Sequence, residues 1–401
     1  MIQITDMKIE EKMWPLLRQA FRPFFLLGAT FSAIAMMLWL WALSGAVQLP
    51  VFADVMFWHA HEMLFGFVAA IIVGFLLTAV QNWTGLRATH GKALAILTLV
   101  WLLGRLSLLF GAWLPMYVPV AIDLLFLPLA AFLLAIPLVA VKQKRNLFFV
   151  PVLLLLTLCN GLMYYGRLTG RFDIQQIGSQ NAVMLITLLM AIVGGRVIPM
   201  FTANGTMTQK VQPLLWLDRF ALGTLWLIFA LQISQLSSLI VDTWLAGLYG
   251  LAAVLLAWRC LRWKPWITIR VPLLWSLHLA YWFLPIGLAL IAWHYFSGQV
   301  TLSTGIHALT AGAMGNMILS MLARVSLGHS GRPLQPKAIM SVAFGLVAIA
   351  ALLRIFAPWW WPELTFDWYL FAGGAWVLAY LIYVVVYLPI LTTPRADGRP
   401  G

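Results

Sequence analysis

The sequence predicts an all-α protein, a polytopic membrane helical bundle of about twelve transmembrane helices. Three observations predict it. Hydrophobic residues make up 63% of the 401 residues and charged residues only 9%, where a soluble domain carries about 25% charged residues. Apolar runs of about 20 residues, the length that crosses a bilayer as a helix, recur along the whole chain. The lysines and arginines collect in the short segments between those runs, which is how a membrane protein sets its orientation.

The spans follow in order. Residues 1–23 read as a short cytoplasmic N-terminal amphipathic segment, with Arg18 and Arg22 near the lipid headgroups. They carry charges of both signs and no small-residue cleavage site, unlike a signal peptide. Span 24–46 comes next, then 55–80, which opens on Trp58-His59-Ala60-His61-Glu62-Met63. Spans 91–113 and 117–140 are consecutive and antiparallel, so Arg105 and Asp123 are expected to pair. Span 147–167 leads to 180–203, which holds Arg196. Spans 214–235 and 238–258 follow. Span 271–295 contains His278 and ends on His294. Span 302–325 contains His307, and spans 338–357 and 367–391 complete the set. The connections are short, so a single transmembrane domain over 1–401 is expected.

Every lysine and arginine except Arg105, Arg167, Arg171, Arg196 and Arg354 falls on one side if the N-terminus is cytoplasmic. This predicts both termini on the cytoplasmic side of the membrane. The formal charge of +13 is therefore read as orientation, with lipid as the partner and no nucleic acid. Cys159 and Cys260 form no CxxC or zinc pattern. No phosphate-binding glycine loop, serine–histidine–acid set or pair of catalytic carboxylates is present.

A weak repeat runs through the second, sixth and tenth spans. His61 lies 24 residues before Gly85, and His307 lies 24 before Gly331; Asn181 holds the matching position before Gly205. The spacing suggests three four-helix units, although glycines that merely end helices give the same pattern.

Ionisable groups inside a membrane are expensive, which makes them candidates for function. His61 and His307 each fall about 8–9 Å above the bilayer midplane. Two histidines at one depth on different helices can hold the two faces of a haem or share a copper ion. His59 and His61 point about 200° apart on a regular helix, so they serve different sites. His59 shares a face with Glu62, a candidate tautomer-fixing or proton-carrying group. His294 and His278 are further metal-ligand candidates beside His59. Arg196 can pair with a haem propionate or another anion. Arg324, His329 and Arg332 form a basic rim at the inner end of the tenth span. The plainer alternatives are an interfacial histidine cluster without metal, ion pairs within the bundle and topogenic charge.

Four motifs in order, RPFFLLG, WHAHEMLFGF, GGRVIPMFTANG and HALTAGAMGNMILSMLARVSLGHSGR, resemble the NnrS family of bacterial membrane proteins over nearly the whole chain. The resemblance implies about twelve spans, haem and copper as cofactors, and a role in nitric oxide metabolism and resistance to nitrosative stress. Within those motifs it points to His59, His61, Arg196, His307, Arg324 and His329. With no CxxCH sequence, the haem would be noncovalent and of b type. The architecture is also similar to haem–copper oxidases and nitric oxide reductases, whose low-spin haem is held from the second and tenth helices. Those enzymes place further histidines on the sixth and seventh helices; here both spans have none. The expectation is a haem-binding inner-membrane protein, copper-binding as well if the resemblance extends that far, that handles nitric oxide; a redox protein acting on nitric oxide is a further reading. The alternative is a transporter of a metal, a metal complex or a small anion.

Overall fold

The computed structural model describes residues 11–399. Lys8 and the first ten residues of the expected amphipathic segment lie outside them. Twelve helices are long and apolar enough to cross a membrane: α1 Phe21–Leu43, α2 Val55–Thr84, α3 Gly91–Leu109, α4 Tyr117–Ala140, α5 Lys144–Thr169, α6 Phe172–Thr206, α7 Leu215–Ile233, α8 Asp242–Arg262, α9 Pro272–Ser297, α10 Leu302–His329, α11 Ile339–Trp360 and α12 Pro362–Thr392. Hydrocarbon supplies no partner for backbone N–H or C=O groups, so each span closes its own hydrogen bonds as a helix.

Two boundaries change the reading of charged residues. α1 begins at Phe21 rather than 24 and draws Arg22 into the helix. Arg22 is fully buried, and its Nη1 donates to the carbonyls of Leu391 at 2.9 Å and Thr393 at 2.7 Å. Arg18 is buried too and donates to Met13 O at 3.1 Å. Both guanidiniums are thus met by protein carbonyls. α6 starts at Phe172, directly after Gly170, whose φ of +70° ends α5.

Contacts gather the helices into two compact units, where the four-helix spacing suggested three. The first comprises the described residues up to Ser179, with Leu322–Gln335 and the chain from Tyr380 on. In it α1 packs on α2, α2 on α4, and α4 on α3 and α5. The second comprises Gln180–Met321 and Pro336–Ala379. There α8 packs on α7 and α9, and the first half of α10 packs on α9 and α11.

α2 and α10 share an irregularity that the hydrophobic pattern did not reveal. α2 is α-helical over Val55–His61, π-helical over Glu62–Val68 and α-helical again to Thr84. α10 is α-helical over Leu302–His307, π-helical over Ala308–Gly315 and α-helical again to His329. Wider π turns of this kind concentrate at functional sites. Each helix is followed by a glycine with positive φ, Gly85 at +70° and Gly331 at +71°, a left-handed backbone that glycine adopts without a Cβ clash.

Candidate functional site

The first unit encloses a polar cluster at the point where α2 turns from α to π. Asp54 caps the helix, its side chain accepting from Phe57 N. One turn on, His61 is fully buried between the rings of Phe57, Phe65 and Tyr164. Its Nδ1 lies 3.1 Å from Glu62 Oε1. Its Nε2 lies 2.9 Å from Asn160 Oδ1 on α5 and 3.2 Å from Asp123 Oδ2 on α4. Arg105 on α3 joins the two carboxylates: Nη1 donates to Glu62 Oε1 at 2.8 Å, and Nη2 donates to Asp123 Oδ1. Asp123 Oδ2 also accepts from Asn160 Nδ2 at 2.7 Å and from the Tyr164 hydroxyl at 3.0 Å.

Gly66 makes room for this set. A Cβ there would stand 2.6 Å from Arg105 Nη1 and 2.8 Å from Glu62 Oε2. Trp101 Nε1 donates to the carbonyl of Gly66 at 2.9 Å and braces the π segment against α3.

The chemistry follows from counting protons. Both nitrogens of His61 face oxygen acceptors, and a neutral imidazole carries only one N–H. A second proton must sit on the His61–Glu62 contact, either on Nδ1 or on the Glu62 carboxyl. That proton, with Arg105, balances the charges of Glu62 and Asp123 in a buried site. Glu62 Oε2 is buried and has no hydrogen-bond partner. The cluster therefore holds one exchangeable proton at a defined place.

The other expected site residues fall as follows. His59 stacks on Trp39 of α1, with centroids 4.3 Å apart and planes at 17°. It points away from His61 as the helical geometry required, but Glu62 meets His61 rather than His59. His278 sits in the second unit, with Nε2 at 2.8 Å from Thr202 Oγ1 and a buried Nδ1 without a partner. His294 and His307 belong to the same unit. His294 Nδ1 bonds the carbonyl of Val300 at 2.7 Å, and His307 Nδ1 bonds that of Ser303 at 2.8 Å. Arg196 is exposed along α6. Arg324 is buried rather than placed on a rim. His329, in the first unit with it, packs against the Phe21 ring and accepts at its carbonyl from Arg395 Nη1 at 2.8 Å.

Arg259, which the sequence placed among loop charges, is buried in the last turn of α8. It donates to Asp218 Oδ1 at 2.7 Å, to the Tyr281 hydroxyl at 2.8 Å and to Ala191 O at 3.2 Å. The Gly194-Gly195 pair is explained by it. A Cβ on Gly195 would strike the Arg259 guanidinium, and one on Gly194 would lie 2.9 Å from the Tyr281 ring.

A haem or copper ion asks for an imidazole with a nitrogen to give. As placed, His61 does not fit, since both nitrogens are engaged. His307 is anchored through Nδ1 to the carbonyl of Ser303, the kind of bond that fixes the ring of a metal-ligating histidine. For copper, no group of three or more His, Cys, Asp or Glu side chains arranged so as to hold a metal ion is found among the described residues.

A family model described as NnrS protein matches residues 15–395. No curated protein matches the chain.

Proposed function

The chain belongs to the NnrS family, and from that membership we propose a bacterial inner-membrane protein of nitric oxide metabolism and nitrosative-stress resistance. In this reading His307 Nε2 holds a noncovalent haem. The observation that carries the reading is the bond from His307 Nδ1 to Ser303 O, 2.8 Å long, at the last α-helical residue before a π segment. Haem iron would supply a site that binds nitric oxide and exchanges one electron. His61 and Glu62 hold a proton, Asp123 and Arg105 fix their positions, and the packed rings of Phe57, Phe65 and Tyr164 keep water away. The uneven distribution of basic residues supports both termini in the cytoplasm.

The test is a reduced-minus-oxidised spectrum of detergent-purified protein, with metal analysis on the same sample. Haem bands that shift with nitric oxide and vanish in folded His307→Ala are expected. Colourless, well-folded protein produced with ample haem would overturn the reading. That outcome favours the second one, a transporter of a metal, metal complex or small anion. Its support is the pair of π segments, since transporters build solute sites where spanning helices depart from regular geometry.

A further inference from the structure

α11 carries a single charged residue in its apolar length, Arg354. It stands about 9 Å along the axis from the helix end at Trp360. A guanidinium at such a depth is expensive and marks a functional position. Two other in-span arginines are matched to carboxylates, Arg105 to Glu62 and Asp123 and Arg259 to Asp218, while Arg22 donates to backbone carbonyls. Among the described residues no carboxylate pairs with Arg354. Its guanidinium lies 4.2 Å from the centroid of the Tyr369 ring on α12, and its Nη2 donates to Ser303 Oγ at 3.4 Å in the first turn of α10. That hydroxyl lies 3.2 Å from His307 Nδ1. One serine therefore joins a cation to an imidazole. Ser303 is exposed, and Arg354 and His307 are half-buried, so a ligand can reach them.

We propose that Arg354 and Ser303, beside His307, form a binding site for a small bent oxyanion of the XO₂⁻ type, a carboxylate or nitrite. The planar guanidinium fork matches the two oxygens of such a group. The Tyr369 ring face holds the fork in orientation without neutralising it, and the Ser303 hydroxyl is the third donor. The anion can come from solution, or it can be the carboxylate of a haem bound at His307. Only the second source rests on the function proposed above.

Two titrations of the purified full-length protein test the site. In the first, haem-free protein is titrated calorimetrically with sodium nitrite at constant ionic strength. In the second, haem and haem dimethyl ester are compared by absorbance. Nitrite binding that weakens about tenfold or more in Arg354→Gln supports a solution anion. Absence of nitrite binding, with haem bound tighter than its ester and that preference lost in Arg354→Gln, supports the haem carboxylate. Arg354→Lys keeps the charge but loses the fork, and it should fall between wild type and Arg354→Gln. Ser303→Ala should weaken the bound anion about two- to fivefold. If Arg354→Gln does not fold, these two variants decide. If the protein takes up no haem, the function proposed above fails and the nitrite titration alone decides this one. Wild type that binds no nitrite and does not distinguish haem from its ester, or variants equal to wild type in both titrations, would overturn the site.

Discussion

His61 and His307 occupy the same register in their helices: each is the last α-helical residue before a π segment, and each stands 24 residues before a glycine of positive φ. The bonding of the two differs. His61 is engaged at both nitrogens by the buried cluster, whereas His307 is anchored through Nδ1 to its own helix. His61→Asn should therefore leave the haem bands that His307→Ala removes. Parallel spectra of the two purified variants, normalised to protein, check this; loss of the bands in His61→Asn would return His61 to the ligand set.

Arg105 holds two buried carboxylates. Arg105→Gln leaves them facing each other without a cation, which should destabilise the protein by about 3–5 kcal/mol. Adding Asp123→Asn removes one of the stranded charges and should recover part of the loss. Thermal denaturation of the single and double variants in one detergent checks the order.

Gly66 is the contact point between α2 and α3. A methyl group there meets Arg105 Nη1, a Phe31 ring carbon at 2.7 Å and Glu62 Oε2. Overpacking of this kind costs about 1–3 kcal/mol. Gly66→Ala should melt at a lower temperature than wild type, while Gly161→Ala, where nothing lies within 4 Å, should not.

Arg395 grips Asp397 through Nε at 2.9 Å and Nη2 at 2.6 Å. This hydrogen-bonded guanidinium lowers the Asp397 carboxyl from an ordinary 3.8 to about 2. A depressed carboxylate stabilises the fold above its ordinary range and stops doing so as pH falls through the lowered value. Amide exchange at 395–399 should therefore rise only between about pH 4 and pH 2. Asp397→Asn should remove that dependence.

The spans were legible because hydrophobic length is a local property of sequence. The Arg105–Asp123 pair was legible for a related reason, since short connections force consecutive helices to be antiparallel. Asn160 and Tyr164 were not. They are neutral polar residues in an apolar run, and only the packing of α5 on α4 brings them to Asp123. Arg259 was read as a loop charge because the span was ended at 258, yet α8 runs on to Arg262 and buries it. The π segments left no trace, because a helix buried on most of its surface shows little hydrophobic periodicity that a register shift would disturb.

Arg22 spends its charge on two carbonyls, those of Leu391 and Thr393. One acceptor lies in the last turn of the last span and the other just after it, and a ribosome reaches them only after some 370 further residues. The first helix is thus inserted long before its guanidinium can meet them. Completion of the first span is deferred until α12 is made, so the closing turns of α12 act as the latch on the opening turns of α1.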